Sequence, residues 1–207
     1  MIAAQATAPE GVLLVLALML PVIGLLAIFV LGLGRPERIA LPILAANLVV
    51  ALIVALQVGH SGQAATYRLG GWLPPLGITL RADGLSAALI AMAALILFVV
   101  AIYARGNFPS TAGGAETRQP TVFWTLLLGL ATALNTVFLA QDLFSLFVAL
   151  ELLTFSAVPL VSLEGSRETL RAALRYLLFA LAGSVLYLIG VALLFGAYGT
   201  LDIASLH

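Results

Sequence analysis

Six apolar runs of about 20 residues or more constrain the fold of this chain most strongly. A helix rises 1.5 Å per residue, so about 20 apolar residues are needed to cross a bilayer core of about 30 Å. Only 9% of the 207 residues are charged and 63% are hydrophobic, whereas a soluble domain carries about 25% charged residues. We therefore predict an all-α integral membrane protein, a single membrane domain with about six transmembrane helices. The predicted spans are 11–34, 39–58, 84–104, 121–140, 143–163 and 172–195.

The longest gap between the spans, residues 59–83, carries a different pattern. Tyr67 and Leu69 alternate with polar residues before a pair of glycines, and Ile78 and Leu80 alternate after a Pro-Pro-Leu-Gly sequence. Alternation of period two around glycine and proline predicts a short β-hairpin between helices 2 and 3, and an irregular linker is the alternative. Tryptophan is enriched at membrane interfaces, so Trp72 is expected there.

Arginine is unevenly distributed between the predicted loops. Seven arginines follow helices 1, 3 and 5 or begin helix 6, and two lie in the hairpin loop. Positive charge favours the cytoplasmic side. The count predicts that the hairpin and both termini face outward from the cytoplasm. We expect a multi-pass protein of the bacterial inner membrane. The seven are Arg35, Arg38, Arg105, Arg118, Arg167, Arg171 and Arg175, and the two are Arg68 and Arg81.

Glu151 lies two positions from the centre of the fifth apolar span. Placing a charged side chain at this depth costs roughly 2.5–3.5 kcal/mol on insertion scales. A carboxylate there faces protein or water rather than lipid, and a carboxyl group in such a place can hold and release a proton. The alternative is a glutamate that is hydrogen-bonded to a neighbouring helix and serves only packing. The position favours Glu151 as a proton carrier.

Polar and helix-breaking residues elsewhere in the spans are further candidates. Thr132 and Asn135 lie one turn apart in helix 4, where they can hydrogen-bond across helices or line a hydrated path. Asp83 and Asp142 stand directly before apolar runs and are expected to cap helices 3 and 5. Pro159 removes a backbone hydrogen bond and is expected to bend helix 5.

Arginines recur at four-residue spacing where the sixth span begins. Arg171 and Arg175 have the spacing of one helix face, with Glu164, Arg167 and Glu168 nearby. The simplest interpretation is a solvated, positively charged anchor. Arg175 lies deeper, and we consider that it reaches toward Glu151 and tunes its pKa. It cannot carry protons, because arginine does not deprotonate in proteins.

Several classes of site are not indicated by the sequence. The chain has no cysteine, and it has no metal-ligand spacing, phosphate-binding loop or dinucleotide glycine motif. Its formal net charge is zero, which gives no indication of nucleic-acid binding. We therefore expect no cofactor, no metal and no redox site of its own.

Three stretches together resemble a known family. They are "YRLGGWLPPLGITLRADGLSA" (67–87), "DLFSLFVALE" (142–151) and "LRYLLFALAGSVLYLIGVALLFGAYGTLDI" (174–203). The chain resembles the N-terminal half of the antiporter-like membrane subunits of proton-pumping NADH:quinone oxidoreductase (respiratory complex I), membrane-bound hydrogenases and Mrp-type Na+/H+ antiporters. The three stretches are most similar to those of the Mrp D-type and the complex I M-type and N-type subunits.

The resemblance implies a role and partners. Glu151 would be the family's helix-5 glutamate, a protonatable centre in a subunit that translocates protons or exchanges Na+ for H+. Such a subunit works beside other membrane subunits and takes its energy from a redox partner or an ion gradient. Two features depart from the family: Arg175 stands where lysine is usual, and the family continues through further helices. The alternative function is a non-conducting structural subunit or a fragment without transport activity.

Overall fold

A computed structural model describes residues 11–31, 35–71, 77–107 and 118–206, and six helices dominate it. All six are long and apolar enough to cross a membrane. The predicted fold class is confirmed, and the predicted spans lie close to the helices. The helices are α1 (Val12–Leu31), α2 (Glu37–Ser61), α3 (Gly84–Asn107), α4 (Arg118–Leu139), α5 (Leu143–Val161) and α6 (Arg167–Tyr198).

The start of α6 differs most from the prediction, because the helix begins at Arg167 rather than near residue 172. Ser166 caps it, since the Ser166 hydroxyl accepts the backbone N–H of Thr169 at 3.1 Å. The cap extends the helix through a polar turn that hydrophobicity alone does not detect. The 32 residues of α6 are about 48 Å long, so the helix exceeds a hydrocarbon core of about 30 Å.

Helix α4 lies at the centre of the bundle. It packs against α1, α3 and α5, while α2 packs against α1 and α3. Gly129 of α4 allows close approach to α5, because a Cβ there would lie 2.8 Å from the Ser156 hydroxyl oxygen. Helix α6 packs chiefly against α5, and within it Val191 alone is buried. Large apolar side chains cover the outer faces, as expected of helices that meet lipid or other membrane subunits.

The predicted hairpin is present between α2 and α3. Strands β1 (Ala65–Arg68) and β2 (Thr79–Ala82) are antiparallel, and Tyr67 pairs with Leu80. Leu80 and Ala82 are buried against α1, α3 and α4 because alternate residues of β2 face the bundle. Trp72 lies outside the described residues.

Two isolated β-bridges extend this hairpin across the same end of the molecule. Leu80 pairs with Ala140, in the connection between α4 and α5, and Asp142 pairs with Asp202, just after α6. The Ile203 N–H also donates to the Gln141 carbonyl at 3.0 Å. We call β1, β2, residues 140–142 and residues 201–203 the β clasp, and the end of the bundle that carries it the hairpin end. The opposite end, which carries Arg35, Arg38, Arg105, Arg167 and Arg171, is the arginine end.

The two aspartates that were expected to cap helices do so. Asp83 Oδ1 accepts the Ser86 N–H at 2.8 Å at the start of α3. Asp142 Oδ1 accepts the Ser145 N–H at 2.7 Å at the start of α5. The pKa of Asp83 is lowered, chiefly by the Ser86 N–H, because a hydrogen-bond donor stabilises the ionised carboxylate.

Candidate functional site

Glu151 stands at the middle of α5, the ninth of its 19 residues. The capped start of α5 and its continuous helix fix the direction of the side chain, which faces α6 and is half-buried. Among the residues that the structure describes, Glu151 has no hydrogen-bond or ion-pair partner. Its carboxyl group is therefore available to water or to an ion.

A groove between α5 and α6 contains the Glu151 side chain. Its volume is about 200 Å³, which is room for several water molecules at roughly 30 Å³ each. Small residues of α6, Ala180 and Gly183, leave this space open, and a Cβ at Gly183 would meet no atom within 4 Å. The groove is lined by Phe147, Leu150, Glu151 and Thr154 of α5 and by Ala180, Gly183, Ser184 and Tyr187 of α6.

Three hydroxyl groups line the groove beside Glu151, and each donates its proton to a backbone carbonyl. Thr154 donates to Leu150 O at 3.0 Å, and Ser184 donates to Leu181 O at 3.1 Å. Tyr187 donates across the interface to Leu143 O at 3.1 Å. With their protons engaged, the three oxygens can act only as acceptors. They suit water molecules, or a protonated Glu151, as donors.

Aromatic rings close the groove toward the hairpin end. The Tyr187 ring stacks on Phe147 at a centroid distance of 6.0 Å and an interplanar angle of 17°. Phe147 lies one helical turn from Glu151 and also contacts Phe144. Tyr187 is not among the site residues predicted from the sequence. Its spacing of four and three residues from Gly183 and Ser184 was the signal that could have identified it.

The structure does not bring Arg175 beside Glu151. Arg175 and Arg171 line a separate surface groove of about 410 Å³ together with Arg167, and all three side chains are exposed. Gly183, in the Glu151 groove, lies eight residues beyond Arg175, roughly 12 Å along the helix. This geometry gives no support to a direct effect of Arg175 on Glu151. The role stays a prediction.

Asn135 forms the second polar site inside the bundle, between α4, α1 and α2. Its side-chain amide donates to Ala17 O at 2.7 Å and to Asn47 Oδ1 at 3.1 Å, and both asparagines are almost fully buried. Pro21 explains why the Ala17 carbonyl is available, because proline has no N–H to donate to the residue four positions earlier. Asn135 thus supplies the hydrogen bond that Pro21 removes from α1.

The other two candidates have local roles. The Thr132 hydroxyl donates to Leu128 O within α4 at 3.0 Å, so the expectation of bonding across helices applies to Asn135 and not to Thr132. Pro159 lies two residues before the end of α5, and the helix continues through it to Val161. The predicted bend at Pro159 remains a prediction.

Comparison with known proteins supports the fold and the resemblance. Residues 140–207 match the family described as NADH:quinone oxidoreductase/Mrp antiporter, transmembrane. The chain is 33% identical over 153 residues to the D-type subunit of the Na(+)/H(+) antiporter of Bacillus subtilis, an alignment that covers 74% of this chain and 30% of the relative. The chain is similar in sequence to antiporter-like membrane subunits. The predicted resemblance is confirmed.

Solved structures show the same architecture. A chain of the membrane-bound sulfane sulfur reductase, an archaeal respiratory membrane complex, superposes with a TM-score of 0.80 and 27% identity, covering 92% of this chain and 38% of that one. A chain of the Mrp complex from Dietzia sp. superposes with a TM-score of 0.80 and 23% identity, covering 97% of this chain and 37% of that one. The chain thus spans about a third of the length of the proteins that it matches. Its sequence is similar to that of an Mrp D-type subunit, and its fold is that of chains in membrane complexes of several subunits.

Proposed function

We propose that this chain takes part in proton translocation or cation/proton antiport, within a complex of several membrane subunits, and that Glu151 carries the proton. The Glu151 groove carries this proposal: a carboxyl group without a partner among the described residues faces a space with room for several waters, at the middle of a membrane-spanning helix. The relationship to antiporter-like subunits supports the same class of function.

The physical chemistry of the site favours a proton as the species that Glu151 binds. An ionised carboxylate in the membrane interior is costly, so binding of a proton neutralises the group where the cost is greatest. Water in the groove stabilises the ionised form once the proton has left. Movement of one proton against the membrane potential requires about 2.3 kcal/mol per 100 mV, which an ion gradient or a redox partner supplies. The chain itself performs no bond-making step in this scheme.

The test is Glu151→Gln in the protein assembled with its native membrane partners. Glutamine keeps the size and polarity of the side chain but cannot be protonated in this range. Cation-driven proton movement into vesicles is expected to fall to background, while the amount of assembled protein stays the same. The matched control is Glu164→Gln, which removes an exposed carboxylate from the α5–α6 turn and should leave transport unchanged.

Each outcome separates the two candidate functions. Loss of transport in Glu151→Gln alone supports a proton carrier. Transport at the unaltered rate in Glu151→Gln contradicts it and favours the non-conducting structural subunit. Equal loss in both variants would assign the effect to overall charge rather than to the groove.

We propose further that the arginine end faces the cytoplasm, since positive charge favours that side. The chain contains no cysteine, so single cysteines can be introduced on an unreactive background. Gln63→Cys places a thiol beside the hairpin and Glu164→Cys places one at the arginine end, both at exposed positions. A membrane-impermeant thiol reagent applied to whole cells should label Gln63→Cys and spare Glu164→Cys. The reverse labelling would invert the topology.

A further inference from the structure

Tyr187 lies between Glu151 and the hairpin end of the bundle. Its hydroxyl donates to the carbonyl of Leu143, the first residue of α5, and its ring stacks on Phe147. Glu151 lies one turn beyond Phe147 on α5 and lines the same groove as Tyr187. Tyr187 therefore lies along the α5–α6 interface between Glu151 and the β clasp.

A second carboxylate lies on the far side of Tyr187. Asp142 uses Oδ1 to cap α5, but its Oδ2 is buried and has no hydrogen-bond partner within the described part of the chain. A buried carboxylate oxygen without a partner is costly, and such a group calls for a proton, an ion or water. Asp142 directly precedes Leu143, whose carbonyl accepts the Tyr187 hydroxyl.

The partner of Asp142 across the β clasp does not share this property. Asp202 stands directly opposite Asp142 in the bridge, and its Oδ2 accepts a hydrogen bond from the Ser205 hydroxyl at 2.5 Å. At this bridge, Asp142 Oδ2 is therefore the buried carboxylate oxygen that lacks a donor among the described residues.

We propose that Tyr187 gates the route between Glu151 and the hairpin end, and that Asp142 Oδ2 accepts the proton that Glu151 releases in that direction. The inference rests on the proposed role of Glu151 as a proton carrier. One proton leaves the Glu151 carboxyl group, passes through water in the groove and binds Asp142 Oδ2, which then releases it to the aqueous phase. Glu151 becomes a carboxylate, and Asp142 is neutral between the two transfers.

The groove gives the gate room to move. The open gate requires the Tyr187 hydroxyl to leave Leu143 O and the ring to leave Phe147. The space beside Gly183, where no Cβ occupies the groove, can receive the ring or the water that replaces it. In the observed arrangement the hydrogen bond and the stacked rings hold the gate closed.

The experiment follows protonation of Glu151 directly. The assembled protein is placed in vesicles with the hairpin end facing the bulk solution, and the infrared band of the Glu151 carboxylic acid is recorded after a pH jump. Loss of the band in Glu151→Gln assigns it. Tyr187→Phe keeps the stacked ring but removes the hydroxyl, and should speed protonation about fivefold, equivalent to a hydrogen bond of about 1 kcal/mol.

Removal of the acceptor should have the opposite effect. Asp142→Asn keeps an oxygen that can cap α5 but cannot carry the proton. Protonation of Glu151 should therefore slow at least about tenfold, since a positioned proton acceptor usually contributes a factor of about 10²–10⁴. Asp142→Ser also caps a helix and gives a second variant if asparagine impairs assembly. Controls are Asp202→Asn, across the bridge, and Tyr176→Phe, an exposed tyrosine of α6, which should change the rate less than about twofold.

The outcomes distinguish this inference from the proposed function. If the Glu151 band responds to pH but its rate of protonation is unchanged in Tyr187→Phe, the gate is overturned. If that rate is unchanged in both Asp142 variants, the acceptor is overturned. Either result leaves the proposed role of Glu151 as a proton carrier intact. Equal slowing in Asp202→Asn overturns the specific role of Asp142. Failure to observe any band that Glu151→Gln removes contradicts the carrier itself, and the gate with it.

Discussion

Two polar sites in the described part of the bundle differ in how their polar groups are stabilised within a membrane. At the α1–α2–α4 contact, Asn135 donates to the Ala17 carbonyl and to Asn47, so its amide protons are engaged in a closely packed core. At the α5–α6 contact, Glu151 faces open space and has no partner among the described residues. Polar groups with engaged partners hold helices together, whereas a partnerless ionisable group retains the freedom to exchange protons.

The largest effect on stability is expected from Asn135→Leu. The change leaves the Ala17 carbonyl and the Asn47 amide oxygen without their donor inside the core, which should lower the free energy of unfolding by about 2 kcal/mol. Denaturation in mixed micelles measures this loss, and transport per folded molecule should be unchanged. Thr136→Val is the control, because the Thr136 hydroxyl bonds only within its own helix. A comparable loss in Thr136→Val would remove the distinction drawn for Asn135.

The second-largest effect is expected in the groove beside Glu151. Gly183→Leu fills the groove beside Glu151 and displaces its water, so transport should fall about tenfold, an increase of about 1.4 kcal/mol in the barrier. Stability should change little, because a Cβ at Gly183 meets no atom within 4 Å. Gly196→Leu is matched, since Gly196 is also an open glycine of α6 and lies outside the groove. Equal transport in the two variants would show that hydration of the groove does not limit the rate.

The third prediction tests why Asn135 is needed. Pro21→Ala restores an N–H that can bond to the Ala17 carbonyl within α1, so it should reduce the cost of Asn135→Leu by about 1 kcal/mol. A double-mutant cycle measures this coupling. Pro42→Ala, in α2, is the control proline and should show no coupling to Asn135. Equal coupling for both prolines would mean that general straightening of helices, and not the Ala17 carbonyl, accounts for the effect.

The smallest effect is expected at the cap of α3. The pKa of Asp83 is lowered, above all by the Ser86 N–H, so its stabilisation is present above the unfolded value of 3.8 and is lost as the pH falls through the folded value. Because Asp83 is exposed, the loss should be well below about 1 kcal/mol. Unfolding measured at about pH 6 and about pH 3 should differ less in Asp83→Asn than in the unaltered protein. An identical difference would assign the pH dependence to other carboxylates.

Most of the fold could be predicted from the sequence, since hydrophobic length alone determines where a helix crosses a membrane. The period-two pattern around Tyr67 and Leu80 predicted the hairpin for a related reason, because burial alternates along a strand. The β clasp was not predicted. Residues 140–142 pair with segments about 60 residues away on either side, and a single sequence carries no signal for such pairing.

Only part of the candidate site could be predicted from the sequence. A glutamate in an apolar run is conspicuous, so Glu151 could be selected by its cost alone. Its neighbours Ser184 and Tyr187 belong to another helix, and only the rotation of α6 against α5 brings them to the groove. The same rotation places Arg175 in a separate surface groove. The position of Arg175 in the sequence, soon after α5, did not indicate this.

The β clasp also constrains how the chain assembles. Asp142 pairs with Asp202, beyond the end of α6, while Leu80 pairs with Ala140, so one continuous seam joins segments that follow the second, fourth and sixth helices. The seam can close only after α6 has been inserted. Before that step the α4–α5 connection presents one unpaired edge, at Gln141 and Asp142. Closure of this seam therefore requires all six described helices to be in place.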